Sequence, residues 1–286
     1  MIKPRIGFVT CVQLGLSCME ALYEAGGQLS FAMTLEDDQA VSKSGRIYLD
    51  SFCTANNIPL LKSRHVNNQD VIDAVYEHEL DWLFIIGWSQ IAGEAILSAP
   101  KQGVLGMHPT LLPVGRGRAA IPWAILKGLD KTGVTLFKLD TGVDTGPIVD
   151  QVEIPLSPKT TATELYELVD EAHIRLMHKV VPALMSDNLT LTVQDDSKAT
   201  EWPGRKPEDG RIDLNGSVYD AERLVRAVTR PYPGAFVDVA DRRFVVWQAT
   251  AWADAVMPAR KGTKGLQFKD GWLEFLEYDE SELPNV

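Results

Sequence analysis

A histidine at the end of a predicted strand is the residue best placed to move a proton in this chain. His108 directly follows the apolar run Gly103–Met107 and precedes Pro109, so the chain must leave the strand there. An imidazole exchanges protons near neutral pH, and strand ends of this kind form ligand-binding edges. General acid–base chemistry is therefore the first function that this position suggests.

The loop LDTGVDTG supplies two carboxylates, Asp140 and Asp144, that could work with this imidazole. Gly142 and Gly146 allow the backbone of the loop to turn tightly. A carboxylate beside an imidazole orients the ring and stabilises the imidazolium. From the residues alone, either aspartate could face inward.

Two arginines, Arg116 and Arg118, flank Gly117 just before a predicted helix through Trp123. Guanidinium groups bind phosphates and carboxylates through paired hydrogen bonds. The sequence has no serine nucleophile elbow, P-loop or metal-ligand cluster near them. Histidine and aspartate without a nucleophile indicate group transfer by acid–base catalysis, not covalent catalysis.

Short β-rich runs alternate with helical patterns in the first part of the chain. The predicted strands are Arg5–Thr10, Leu29–Thr34, Ile58–Lys62, Asp81–Gly87 and Gly103–His108. Helices are predicted between them from the spacing of apolar residues, for example over Ile47–Ala55 and Asp70–His78. This alternation predicts βαβ units and an α/β fold with a parallel sheet.

Two strand ends are followed by loops where a ligand could bind. The first strand–helix turn, TCVQLGLS, lacks the GxGxxG pattern, so a dinucleotide at the usual place is unsupported. After the strand DWLFIIG come Trp88, Ser89, Gln90 and Ile91, which could form a wall for a flat heterocycle. An ordinary strand–helix loop is the alternative.

The second part of the chain predicts a long helix and then a smaller unit. Thr161 and Glu164 have capping-box spacing at the start of the helix. His173 and His178 lie five apart on it, a spacing that favours packing or surface histidines over a metal pair. The polar stretch 187–210 is expected to connect two domains, 1–190 and 205–286.

The smaller unit is predicted to be β-rich. A helix over Ser217–Thr229 precedes four alternating stretches, which indicate a small antiparallel sheet or partial barrel. These stretches are Ala235–Val239, Arg243–Trp252, Gly265–Phe268 and Trp272–Tyr278.

The composition is that of a globular protein with an acidic surface. The net charge of -11 disfavours nucleic acid and anionic membranes as partners, although a local basic patch could still bind a phosphate. The three cysteines are expected to be reduced and buried. Without a signal peptide or a long apolar run, the expected location is cytoplasmic, with no membrane partner.

The run HPTLLPVGRGRAAIPWAI…TGVTLFKLDTGVDTGPIV resembles the signature of folate-dependent formyltransferases. Members of this family act on methionyl-tRNA, glycinamide ribonucleotide or sugar nucleotides. The later runs WPGRKPEDGRIDLN and LVRAVTRPYPGAFV are similar to the C-terminal subdomain of the methionyl-tRNA and amino-arabinose enzymes. The resemblance implies a Rossmann-like catalytic domain with a parallel-rich sheet, followed by a small α+β or OB-like subdomain.

The resemblance also implies a donor, a reaction and roles for single residues. The donor is N10-formyltetrahydrofolate, no metal takes part, and an acceptor amine attacks the formyl carbon to give a tetrahedral oxyanion. His108 is the acid and base, Asp144 its orienting carboxylate, and Arg116, Gly117 and Arg118 face the phosphates of the acceptor. The pterin would be held by Trp88, Ser89, Gln90, Ile91, Leu139, Asp140 and Val143.

One position departs from the family pattern. The family places an asparagine two residues before the histidine as an oxyanion donor, whereas this chain has Gly106 there. Loss of one such donor costs about 100- to 1000-fold in rate. A backbone N–H or water could replace it, or another side chain such as Ser89 or Gln90, or catalysis could be lost.

The acceptor expected from the sequence is a nucleotide-linked amino sugar, which needs only one or two arginines and an aromatic wall. Residues 201–286 carry 12 lysines and arginines against 15 aspartates and glutamates, a net charge of -3 that makes tRNA the weaker choice. The alternatives are a methionyl-tRNA, amino-acid or hydroxyornithine acceptor, water in a hydrolase, and an impaired homologue that binds folate or nucleotide. A homodimer is left open.

Overall fold

The computed structural model describes residues 3–42, 46–253 and 264–283, which fall into two compact units. Each unit is assembled from separate stretches of chain. The first contains the described parts of Met1–Arg116, Gly133–Ile154 and Val169–Glu201. The second contains the described parts of Gly117–Thr132, Pro155–Leu168 and Trp202–Val286.

The strands and helices are numbered here in chain order. The strands are β1 Ile6–Val9, β2 Phe31–Thr34, β3 Leu60–Lys62, β4 Trp82–Ile85, β5 Gly103–His108, β6 Arg116–Gly117, β7 Lys131–Lys138, β8 Ile148–Pro155, β9 Glu201–Trp202, β10 Ala235–Val239, β11 Arg242–Ala253, β12 Gly265–Phe268 and β13 Gly271–Glu282. The helices are α1 Gln13–Glu24, α2 Asp50–Ala55, α3 Gln69–Glu77, α4 Glu94–Ser98, α5 Ala120–Leu126, α6 Ala162–Met185 and α7 Val218–Val228.

The central sheet has the strand order β3-β2-β1-β4-β5-β7-β8. The pairs from β3 through β5 are all parallel, which confirms the parallel-rich α/β sheet predicted from the alternation of strands and helices. β7 pairs with β5 in the antiparallel direction, with His108 opposite Thr135. The chain therefore leaves β7 beside the start of β5 and not beside His108.

Continuous apolar strands explain why this sheet is buried. All four residues of β1, β2 and β4 are buried, as expected for strands covered on both faces. Phe8 and Phe84 on the neighbouring strands β1 and β4 stack with their ring centroids 5.6 Å apart. Burial of each ring contributes about 1.5–3 kcal/mol, so the core fixes the frame on which the loops stand.

Side-chain caps begin two of the helices, and the cap of α6 is the predicted capping box. At the start of α6, the Glu164 N–H donates to Thr161 Oγ1 at 3.2 Å, and the Thr161 N–H donates to Glu164 Oε2 at 2.8 Å. The Ser217 hydroxyl accepts from the Tyr219 N–H at the start of α7, over 3.2 Å. Each cap satisfies backbone donors that the first helical turn leaves unpaired.

In the second unit, four strands form an antiparallel sheet in the order β10-β11-β13-β12. The predicted antiparallel sheet is thus confirmed for the described residues. The helix predicted over Ser217–Thr229 is α7, whose buried apolar residues include Val218, Val225 and Val228. The domain boundaries 1–190 and 205–286 stay a prediction.

The stretch 187–210, which the sequence predicts to connect two domains, has buried residues and local structure of its own. Gln194 and Trp202 are buried, and a two-residue strand and two short 3-10 helices lie within this stretch. The polar composition of the stretch did not indicate these buried residues, because its polar groups are used in internal hydrogen bonds. Composition alone could not separate that case from a solvated connection.

The remaining sequence expectations concern thiols, metals and membranes. Cys11, Cys18 and Cys53 are buried and reduced as predicted, and burial raises the pKa of Cys53 to about 11, with help from Asp50. Among the described residues, no group of three or more potential ligands could hold a metal ion. No described helix has the length and apolar character needed to span a membrane.

Candidate active site

His108 lies at the last position of β5 and is held by one of its ring nitrogens. Its Nε2 is 2.8 Å from the Gly115 carbonyl oxygen, and only 8% of the residue is exposed. Because a carbonyl oxygen can only accept, Nε2 carries the hydrogen and donates it. Nδ1 is therefore the nitrogen that remains for proton exchange.

Asp144, and not Asp140, is brought to that nitrogen. Asp144 Oδ2 is 3.6 Å from His108 Nδ1. Asp140 instead builds the turn of its own loop, since its Oδ1 accepts from the Gly142 N–H at 3.0 Å and from the Thr145 hydroxyl at 2.7 Å. The structure thus separates the two aspartates that the residues alone left equivalent.

The loop that carries Asp144 runs back along β5. The Leu139 N–H donates to the Val104 carbonyl at 2.8 Å, so the loop starts far from His108 and must reverse to reach it. A side chain at Gly146 would clash with the Lys138 carbonyl, which explains the glycine at this position. Asp144 itself has a φ of 54°, a left-handed conformation that aspartate tolerates better than most residues.

The position of the missing asparagine is covered by a leucine. A Cβ at Gly106 would lie 2.7 Å from Leu139 Cδ2 and 3.1 Å from Leu139 Cγ, closer than packed carbon atoms allow. Leu139 also packs against the core of the parallel sheet together with Trp88. The space beside Gly106 is therefore filled by an apolar side chain and offers no side-chain donor.

The guanidinium of Arg116 is used inside the first unit. It is buried and donates to Gln194 Oε1 from Nη2 at 2.8 Å and from Nε at 3.2 Å. Nη2 also lies 2.7 Å from Asp196 Oδ1. The role predicted for Arg116 toward acceptor phosphates stays a prediction, and this network gives the residue a second role.

Gly117 and Arg118 belong to the second unit. A Cβ at Gly117, where φ is 107°, would lie 2.5 Å from the Trp202 carbonyl oxygen, so the close backbone approach requires glycine. Arg118 is exposed, and its N–H donates to the same carbonyl at 3.0 Å. Among the described residues, no carboxylate lies within ion-pair distance of the Arg118 guanidinium.

The loop Trp88–Ile91 is held in place by Gln90. The Gln90 Oε1 accepts from the Val66 N–H at 2.9 Å and from Trp88 Nε1 at 3.2 Å. Its Nε2 donates to the Arg64 carbonyl at 2.9 Å. These three hydrogen bonds of the Gln90 amide fix the shape of the loop, while Ile91 stays 85% exposed.

Of the two histidines on α6, one packs in the interior and one lies on the surface, as the sequence predicted. His173 is 2% exposed, and its Nδ1 is 2.7 Å from the Val169 carbonyl oxygen. Burial, with a smaller contribution from His108, lowers the pKa of His173 to about 4. His178 is exposed and pairs with Glu24 at 2.9 Å.

The buried His173 should make the stability of the protein depend on pH. The unfolded chain binds a proton on this histidine below pH ~6.5, whereas the folded protein does so only near pH ~4. The free energy of unfolding is therefore highest above pH ~6.5, where His173 is neutral in both states. It falls as the pH drops from ~6.5 to ~4, by at most about 1.4 kcal/mol per pH unit. Between about pH 7 and about pH 5, urea unfolding should show the wild type losing about 1–2 kcal/mol more than His173→Gln. Equal losses in both proteins would contradict this assignment.

Comparison with protein families identifies the chain. Residues 33–181 match the formyl transferase family, and residues 205–278 match the formyl transferase C-terminal domain. The chain belongs to the formyl transferase family. The match agrees with the resemblance carried by the His108 and Asp144 loops.

One relative of this chain is a much longer protein. The bifunctional polymyxin resistance protein ArnA of Wigglesworthia glossinidia brevipalpis is 30% identical over 236 residues, which are 82% of this chain and 36% of ArnA. The chain thus spans about a third of the length of that relative.

Two solved structures share the fold over nearly the whole chain. WlaRD, a sugar 3N-formyl transferase studied with dTDP and 5-N-formyl-THF, has a TM-score of 0.70 at 16% identity and full coverage of both chains. The N-formyltransferase of Helicobacter canadensis, in complex with folinic acid and dTDP-3-aminofucose, has a TM-score of 0.68 at 17% identity. It is matched over 98% of this chain and 100% of its own. At such identities, the likeness establishes the fold of this formyltransferase.

Proposed function

We propose that this enzyme moves a formyl group from N10-formyltetrahydrofolate to the amine of a nucleotide-linked amino sugar. The observation that carries the proposal is the pairing of His108 Nδ1 with Asp144 Oδ2 at 3.6 Å, while Nε2 is held by Gly115. When the amine attacks the formyl carbon, Nδ1 accepts the proton that the amine must lose. Asp144 stabilises the resulting imidazolium, which returns a proton to the departing folate nitrogen.

The folate is proposed as donor because of the apolar surface around the loops after β4 and β7. Ile91 and Val143 are 85% and 66% exposed, and each lies on a loop whose other apolar member, Trp88 or Leu139, packs on the core. A flat heterocycle fits such a combination of apolar contact and nearby backbone groups. The folates recorded with WlaRD and the Helicobacter canadensis enzyme support the same choice.

The acceptor is proposed from a basic and aromatic surface in the second unit. Arg205 Cζ and Lys127 Nζ lie 5.1 Å and 5.5 Å from the centre of the Trp123 ring. Arg118 lies nearby, since its Cδ would be 3.6 Å from a Cβ at Gly204. Within the described part of the chain, none of the three cations has a carboxylate at ion-pair distance. Unpaired cations beside an indole suit a nucleoside diphosphate.

A panel of acceptors tests the proposed function. The enzyme is mixed with N10-formyltetrahydrofolate and either amino sugar nucleotides, methionyl-tRNA, hydroxyornithine or buffer, and tetrahydrofolate release and formylated product are measured. Turnover is expected with an amino sugar nucleotide. Turnover in buffer alone would show a hydrolase, and folate binding without turnover on any acceptor would show an impaired homologue.

Arg118→Ala should weaken acceptor binding without changing the chemistry. The KM for the amino sugar nucleotide is expected to rise about 10- to 100-fold while kcat stays within about threefold, because a charged hydrogen-bond partner of the ground state is lost. Arg242→Ala, which removes a half-exposed arginine of the small sheet, is the matched control. An unchanged KM in Arg118→Ala would remove this arginine from the acceptor site.

A further inference from the structure

One stretch of the supposed linker touches both loops that carry the proton-transfer pair. We name residues 192–200 the strap. Thr192 exchanges two backbone hydrogen bonds with Ile148, each 2.8 Å, just after the Asp144 loop. At the other end, the Arg116 N–H donates to the Thr200 carbonyl at 2.9 Å, just after Gly115.

Within the strap, Gln194 uses every hydrogen-bonding position of its amide. Nε2 donates to the Asp144 carbonyl at 2.8 Å and to the Gly146 carbonyl at 2.7 Å. Oε1 accepts two hydrogen bonds from Arg116. The guanidinium can only donate and the carbonyls can only accept, so the orientation of the amide is fixed by its neighbours. Gln194 is 7% exposed, which makes each of these bonds costly to lose.

Thr200 makes the corresponding contact on the histidine side. Its hydroxyl accepts from the Gly115 N–H at 2.9 Å, and its own N–H donates to the Pro113 carbonyl at 3.2 Å. The carbonyl of Gly115 is the group that holds His108 Nε2. The strap therefore reaches Asp144 through Gln194 and His108 through Gly115.

We propose that Gln194 and Thr200 are positioning residues that set the separation between His108 Nδ1 and Asp144 Oδ2. The catalytic meaning of this proposal rests on the proposed function. At 3.6 Å the two atoms are within ion-pair distance but just beyond hydrogen-bond distance, so a small displacement decides whether they form a hydrogen bond. The left-handed backbone of Asp144 needs outside support, and Gln194 supplies it at the carbonyls of Asp144 and Gly146.

Gln194→Met tests the Asp144 side of the strap. Methionine keeps the length of the side chain and removes both donors, so the Asp144 loop should shift. We expect kcat to fall about 10- to 100-fold, in line with the cost of misplacing a reacting group by about 1 Å, and both KM values to stay within about threefold. Gln267→Met is the matched control, because the Gln267 amide also donates to two carbonyls, of Phe268 at 2.9 Å and Gly271 at 3.0 Å. Its kcat should equal that of the wild type.

A second substitution separates positioning from general loss of structure. In an Asp144→Asn background, Gln194→Met should lower kcat less than twofold further, because the group that it positions is already inactive. If Gln194→Met lowers kcat as much in the Asp144→Asn background as it does in the wild type, the proposal is overturned. A wild-type kcat in the single variant Gln194→Met would also overturn it.

Thr200 provides an independent pair of variants. Thr200→Val keeps the shape and removes the hydroxyl, and should lower kcat about 3- to 10-fold by loosening Gly115. Thr200→Ser keeps the hydroxyl and should retain the wild-type kcat. If serine and valine behave alike, the hydroxyl of Thr200 does not position His108.

The ring signals of His108 test the strap without turnover. In nitrogen-edited NMR spectra, Gln194→Met and Thr200→Val should each shift the His108 ring resonances, and Gln267→Met should not. If the wild type formylates nothing, the proposed function fails while this spectroscopic result still decides the role of the strap. Unchanged His108 signals in both variants would overturn the role of the strap whatever the activity.

Discussion

His108→Ala should lower the rate of formyl transfer by at least about 100-fold, since it removes the group that we propose accepts the proton of the attacking amine. The imidazole is buried at the end of β5, and its Nε2 is committed to the Gly115 carbonyl. Its Nδ1 faces Asp144 Oδ2 at 3.6 Å. Single-turnover kinetics with saturating folate and acceptor measures the chemical step directly.

Asp144→Ala should lower the same rate by at least about 100-fold, because the imidazolium then loses its stabilising carboxylate. Asp187→Ala is a suitable control. Asp187 also has a φ of 54° and is exposed, so its variant reports the cost of removing a left-handed aspartate. His178→Ala is the control for His108→Ala, because it removes a histidine that is exposed and lies outside the proposed site. Wild-type rates in His108→Ala or Asp144→Ala would contradict the assignment of the pair.

Those parts of the fold that depend on local patterns could be predicted from the sequence. The run DWLFIIG gave the buried strand β4, and the Thr161 and Glu164 pair gave the start of α6. Hydrophobic period and capping chemistry are properties of neighbouring residues, so a sequence carries them directly. The direction of β7 was not accessible in this way, because an apolar strand reads the same in parallel and antiparallel pairs.

The parts of the candidate site that depend on the chemistry of one residue type could be predicted from the sequence. The parts that depend on how loops pack could not. His108 could be found from its place after an apolar run, whereas the choice between Asp140 and Asp144 depends on how a loop folds back. Gln194 gave no signal, because a glutamine in a polar stretch looks solvated until its partners are known. Arg116 was assigned to phosphate binding from its chemistry, but the structure also uses it to hold Gln194.

The glycine at position 106 is explained by a partner distant in sequence. Leu139 fills the side of β5 where the family resemblance places an asparagine, and it packs on the core beside Trp88. The glycine and the leucine are therefore packed together, so that a larger residue at position 106 requires Leu139 to move or to be smaller. Oxyanion stabilisation at this site must come from groups other than the side chain of residue 106.

Gly106→Asn alone should therefore reduce both stability and activity. The new Cβ would meet Leu139 Cδ2 at 2.7 Å, and displacing this partly buried leucine from its packing against the core should cost about 1–3 kcal/mol. The displaced leucine should also disturb the loops proposed to hold the folate, so kcat is expected to fall about 10-fold or more. Urea unfolding and single-turnover rates measure the two effects separately.

Gly106→Asn combined with Leu139→Ala should reverse the loss. The shorter side chain leaves room for the amide to point toward the developing oxyanion, and one such donor contributes about 100- to 1000-fold when well placed. We therefore expect the double variant to exceed the single Gly106→Asn variant by at least about 10-fold in kcat. Leu139→Ala alone is the control, because it opens the same space without a donor. A Gly106→Asn variant with raised kcat and unchanged stability would show that Leu139 is no obstacle, and the asparagine would then be compatible with this site as it stands.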